Sequence, residues 1–154
     1  MKRRRALGGL VAATGLVAAG TPLRAQPQAV FVEVWKSPSC GCCQAWVAHL
    51  ESNSFRVKLN DTGNTAARAR LKVPASLGSC HTALVGRYAL EGHVPAADIR
   101  RLLRERPDAI GLVVPGMPVG SPGMDGPEYG DRKDRYEVLL LQRDGRTTVF
   151  STHA

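Results

Sequence analysis

The residues best equipped for chemistry are four cysteines, Cys40, Cys42 and Cys43 in SPSCGCCQAW and Cys80 in GSCHTA. Three thiols within four residues cannot make a spread-out disulfide framework, because their backbones lie too close together. Cys40 and Cys43 form a CxxC, and Cys42 adds a sulfur that a dithiol redox pair does not need. Soft sulfurs gathered this tightly suit a soft metal, with Cu(I) foremost. Thiol–disulfide exchange, with Cys40 as nucleophile and Cys43 as resolving thiol, is the competing use of the same residues. Cys42 separates the two uses: redundant for a dithiol, it can bridge a second metal ion, and Cys80 would complete a sulfur set large enough for several Cu(I) ions.

Two plainer readings stand beside these. One is a structural Cys40–Cys43 disulfide with two buried thiols, which would leave Cys42 and Cys80 as liabilities in an oxidising compartment. The other is a closed zinc site using all four cysteines. Such sites usually draw their cysteines from two separated pairs, and three from one turn make an awkward tetrahedron.

Methionine supplies the other soft donor. Met117 and Met124 both lie in PGMPVGSPGM, where Gly and Pro keep the chain off regular elements. Thioethers bind Cu(I) without deprotonation, so both are candidate metal ligands, against the simpler role of packing the loop onto the domain. The histidines are weighed singly. His49 lies seven residues after Cys42, about 10 Å along a helix, and reads as a surface or capping residue. His81 follows Cys80 directly and would point to the opposite face if both lay on a strand. His93, in LEGHVP, is a hydrogen-bond donor behind the site or a cap, and His153 stands at a frayed terminus.

These side chains need a frame. Residues 29–35 (AVFVEVW) read as a buried first strand, and Ser37-Pro38-Ser39 breaks it. Gly41–Ser52 reads as a helix, with Cys43, Trp46, Val47 and Leu50 on its inward face. The cysteines would then occupy its cap and first turn, where unpaired N–H groups and the helix dipole favour thiolates. Strand 55–59, helix 64–71, strands 82–85 and 88–90, and helix 95–105 with an Ile99, Leu102, Leu103 stripe follow. Residues 112–130 read as a Gly/Pro-rich loop, and 136–141 with 147–150 as a hairpin about Asp144-Gly145. The order is β-α-β-α-β-β-α, a loop and a hairpin, an α/β chain in which CxxC opens the first helix of a βαβ unit. That is the thioredoxin-like pattern. Such folds place a cis-proline directly before the third core strand; here Pro74 lies eight residues before Thr82, and Cys80-His81 takes up the approach.

The N-terminal residues predict export. Lys2–Arg5 are basic, 6–20 are apolar and small, and 21–25 close on a small residue before Gln26, the layout of a secretory signal peptide exported by the Sec or twin-arginine route. Residues 1–25 are therefore the signal peptide and 26–154 a single metal-binding domain, periplasmic and without a membrane span after cleavage. The chain has 21 Lys and Arg against 13 Asp and Glu; residues 1–25 hold five of the basic and none of the acidic ones, leaving +3. The high pI thus describes the leader, and no nucleic-acid partner follows from it.

KSPSCGCCQAWVAHL, VPASLGSCHTALVG, EGHVPAADIRRLL and GLVVPGMPVGSPGM together resemble the CopG-type family of periplasmic copper-resistance proteins, long labelled a domain of unknown function. The resemblance runs from about Val30 to Phe150. It implies a thioredoxin-like fold, export, and a copper site on Cys40, Cys42, Cys43 and Cys80, with Met117 and Met124 matching the family's methionine loop. It also implies copper ions as the partner, a place among other periplasmic copper-handling proteins, and a role in copper tolerance with Cu(I)/Cu(II) interconversion. A copper oxidoreductase and a non-enzymatic binding protein both stay open on the residues alone.

Overall fold

The computed structural model describes residues 29–154, so the expected signal peptide lies outside the described residues. Among these residues seven strands form one mixed sheet: β1 (Val30–Lys36), β2 (Phe55–Asn60), β3 (His81–Val85), β4 (Tyr88–Glu91), β5 (Ala109–Val113), β6 (Tyr136–Gln142) and β7 (Thr147–His153). Their order across the sheet is β2-β1-β3-β4-β5-β6-β7. The described residues also form three α-helices, α1 (Gly41–Ser52), α2 (Thr65–Arg70) and α3 (Ala96–Glu105), with single 3-10 turns at Ala75–Leu77 and Pro127–Tyr129. No helix among the described residues is long and apolar enough to cross a membrane.

The sheet register brings distant thiols together. β1 and β2 run parallel around α1, whereas β1 and β3 are antiparallel with Lys36 opposite His81. The end of β1 therefore meets the start of β3, and the turns just outside them, 37–40 and 78–80, become neighbours. β3 and β4 pair antiparallel with Thr82 opposite Glu91, which adds the start of the β4–α3 connection to the same end of the sheet.

The apolar faces expected of α1 and α3 make the core. Trp46, Leu50, Ile99 and Leu102 are wholly buried with Val32, Val34, Leu90, Leu112 and Val138 from the strands. Each such side chain contributes about 1.5–3 kcal/mol by leaving water. Trp46 is also tied by its Nε1–H, which donates to Val94 O at 2.9 Å. His49 takes the capping role: its Nε2 accepts the Ala96 N–H at 3.1 Å, satisfying one orphan donor at the start of α3.

Two sequence expectations need correction. The loop expected over 112–130 begins too early, because Leu112 and Val113 belong to β5, parallel to β4. The strand was hidden by Gly111, which reads as loop chemistry. A Cβ there would collide with the backbone carbonyl of Ala89, so the glycine serves the close approach of two strands. His153 is not at a frayed end: β7 runs through it, its ring stacks on Tyr136 at 5.0 Å, and its Nε2 lies 2.8 Å from Asp98 Oδ2. The hairpin turn itself is as expected, with Gly145 at φ 85°.

Candidate metal centre

α1 starts at the chemistry. Cys40 is its N-cap in extended conformation, with no side-chain cap and no acidic residue in the first turn. The N–H groups there are left to whatever anion comes near, and a thiolate qualifies. Cys40 and Cys43 are joined as a disulfide, the CxxC pair that thiol–disulfide exchange would use. Cys43 is buried and Cys40 partly exposed, so the bond presents one sulfur outward. Cys42 and Cys80 are free.

Cys42 is the centre of the sulfur set. Its Sγ lies 3.6 Å from Cys40 Sγ, 3.9 Å from Cys80 Sγ and 4.0 Å from Met117 Sδ. The sulfurs of all four cysteines fall within 4.8 Å of one another. At a metal–sulfur distance of about 2.3 Å, sulfurs sharing one trigonal or tetrahedral ion stand about 3.8–4.0 Å apart. The spacing of Cys42, Cys80 and Met117 and their donor types therefore fit a soft metal ion, with Cys40 and Cys43 joining them as donors once their disulfide is reduced.

Cys80 stands in the turn before β3, not on the strand, so the alternation that would separate it from His81 does not apply. His81 Nδ1 lies 3.4 Å from Cys80 Sγ, and His93 Nε2 lies 3.1 Å from it. His93 Nδ1 is 2.8 Å from Pro122 O. A carbonyl only accepts, so Nδ1 carries the proton and the Nε2 lone pair faces the thiol. This is the arrangement in which metal-bound imidazoles are usually held. His81 sits between Trp46 at 4.2 Å and His93 at 5.0 Å, and its buried Nε2 has no partner among the described residues.

Burial sets the protonation of these groups. It holds His81 well below the ordinary imidazole range, with His93 adding to the effect, and lowers His93 as well. Burial and then the neighbouring Cys42 push the Cys80 thiol up to about 12. The site at neutral pH is thus a protonated Cys80 between neutral imidazoles, and a metal ion must displace the thiol proton to bind.

A polar network that sequence reasoning missed holds this turn in place. Glu91 is wholly buried at the end of β4. Its Oε1 accepts from Arg68 Nε at 2.9 Å and Ser79 N at 2.7 Å, and its Oε2 accepts from Thr82 Oγ1 at 2.6 Å. Arg68 Nη2 also donates to Ser79 O, so both backbone groups of the residue before Cys80 are clamped. A carboxylate closing the otherwise apolar strand YALE was the available signal, since a buried charge requires a partner.

The Gly/Pro-rich loop closes the other side. Ser79 Oγ donates to Gly116 O at 2.5 Å, which seats Met117 with half its surface exposed. Gly123, at φ +88°, lies so close to α1 that a Cβ would stand 2.7 Å from both Cys42 O and Trp46 N. Met124 is placed differently from Met117: it is buried, and its Sδ accepts from Tyr129 Oη at 3.4 Å.

Residues 77–124, which span Cys80, His93 and the methionine loop, match the model of a family described as a protein of unknown function, DUF411. No curated protein matches the chain. Two solved structures do. One, described as copper resistance protein CopG, form 2, is 46% identical with a TM-score of 0.75, over 82% of this chain and 99% of that one. The form 1 structure is 47% identical with a TM-score of 0.75, over 81% of this chain and 98% of that one. With four clustered cysteines and near-complete coverage of those structures, the chain belongs to the CopG copper-resistance family.

Proposed function

We propose that this is an exported, periplasmic copper-binding protein of copper tolerance, with residues 1–25 as signal peptide and 26–154 as one thioredoxin-like domain. Parallel β1 and β2 about α1, followed by antiparallel β3 and β4, support the thioredoxin-like assignment. Cu(I) is held by Cys40, Cys42, Cys43 and Cys80. Met117 adds a thioether at the rim, while Met124, engaged by Tyr129, secures the loop. The observation that carries the reading is the position of Cys42, with three other sulfurs at 3.6–4.0 Å. The imidazoles of His81 and His93 beside Cys80 support interconversion of Cu(I) and Cu(II), since imidazole nitrogen suits copper where thiolate alone selects Cu(I).

The disulfide makes binding capacity depend on redox state. With Cys40 and Cys43 oxidised, the chain offers two thiols and Met117; reduced by two electrons, it offers four thiols. Anaerobic titration with Cu(I) against a chromophoric chelator tests this. Fully reduced protein should take at least one Cu(I) tightly and more than the oxidised form does. Stoichiometry below one with weak affinity would sink the proposal.

A second reading rests on the same disulfide. Buried Cys43 and partly exposed Cys40 at a helix start are the layout of a thiol–disulfide oxidoreductase. That reading requires Cys42→Ser and Cys80→Ser to leave dithiol exchange intact. Loss of exchange in those variants, with Cys40 and Cys43 still able to oxidise, would refute it.

A further inference from the structure

We infer that the end of the molecule remote from the cysteines is a docking groove for an acidic, partly apolar segment of a partner protein. Its floor is Val30, at the start of β1, and Leu103 of α3, which together line two adjoining hollows of about 430 and 250 Å³. Arg87, Arg100, Arg104 and Arg106 rim them. Among the described residues none of the four forms an ion pair; Glu105 is held by Arg101 at 2.7 Å, and Asp108 is held by Arg143 at 2.5 Å while also feeling the charge of Arg87. Residues 1–29 contain no acidic side chain and cannot supply the complement.

The rim is ordered in advance. Arg87 lies over the Tyr88 ring at 5.0 Å and donates to Pro107 O at 3.0 Å; Arg100 lies over the Phe55 ring at 4.7 Å and donates to Asn53 O. Guanidinium groups held in this way retain free N–H donors and lose little further freedom on meeting a carboxylate. Four unpaired cations around an apolar floor match a segment that alternates carboxylates with aliphatic side chains, and the recessed floor suits side chains better than a flat bilayer. The groove lies at the opposite end of β1 from Cys40, about 20 Å away by strand rise. A partner seated here leaves the sulfur site open.

The probe is a fluorescein-labelled six-residue peptide alternating Glu and Leu, followed by anisotropy with the mature chain. Saturable binding is expected, with about a fivefold loss for each arginine reversed, so Arg104→Glu weakens it and Arg87→Glu with Arg104→Glu weakens it further. Arg104→Lys should restore it, and melting curves check that the variants fold. Binding should also weaken as salt rises. Equal affinity for the Gln-Leu peptide, or for the doubly reversed chain, would overturn the assignment. So would binding of phosphatidylglycerol vesicles with none of the acidic peptide. The Cys42→Ser chain should bind the peptide like the natural one. A loss there would place the peptide at the sulfur site and also count against the groove.

Discussion

The two halves of the candidate metal centre are built in opposite ways. One is a single turn: Cys40, Cys42 and Cys43 come from adjacent positions at the start of α1, and any helix beginning at Gly41 would bring them together. The other is assembled from three remote segments, with Cys80 before β3, His93 after β4 and Met117 in the loop. The first half needs little more than local conformation. The second exists only while the Glu91 network and the glycine contacts hold those segments against α1. The difference separates stability of the fold from competence of the site.

The largest expected effect tests the assembled half. Glu91→Ala leaves Arg68, the Ser79 N–H and Thr82 without their buried acceptor. It should cost about 3–5 kcal/mol in denaturant unfolding. A loss under about 1 kcal/mol would mean that the turn before β3 stands without its clamp.

Next comes the joint between the halves. Cys80→Ser should weaken Cu(I) binding by more than the about 10–100-fold typical of groups that merely support a ligand, as should Cys42→Ser. If Cys42→Ser alone has that effect, measured by chelator competition, the metal belongs to the α1 turn and the assembled half does not ligate.

Gly123→Ala adds a Cβ against Cys42 O and Trp46 N at a positive φ. A destabilisation of about 1–3 kcal/mol is expected, with reduced Cu(I) affinity as the loop lifts from α1. Unchanged affinity beside lowered stability would show that Met117 and the loop are dispensable.

The mildest perturbation is a change of pH. Because the Cys80 thiol is raised to about 12, it is protonated throughout the neutral range, and binding must expel its proton. Cu(I) affinity should therefore rise with pH, about tenfold per unit for each thiol proton released, and fall correspondingly as pH drops. Competition titrations between about pH 6 and 8 would check the slope, and Cys80→Ser should flatten it by about one proton.

Much of this was legible in the chain. The α1 boundaries, its buried face and the hairpin at Asp144-Gly145 follow from short-range periodicity and turn chemistry. β5 was not legible, because Gly111 marks a strand–strand approach and looks like loop. Nor was the ordered His153, whose partners lie on α3 and β6.

The sequence by itself determined that three sulfurs share one turn, that a fourth thiol and two thioethers exist to join them, and that α1 carries the cluster at its N-terminus. Only the tertiary structure decided which of them meet. It brought Met117 to Cys42 and gave Met124 to Tyr129, turned His93 onto Cys80, and paired Cys40 with Cys43. The physical reason is range. Helix caps and turns are dictated by neighbours a few residues away, whereas the approach of Cys80 and Met117 to α1 depends on strand register, a buried ion pair and glycines whose missing Cβ matters only against a distant segment.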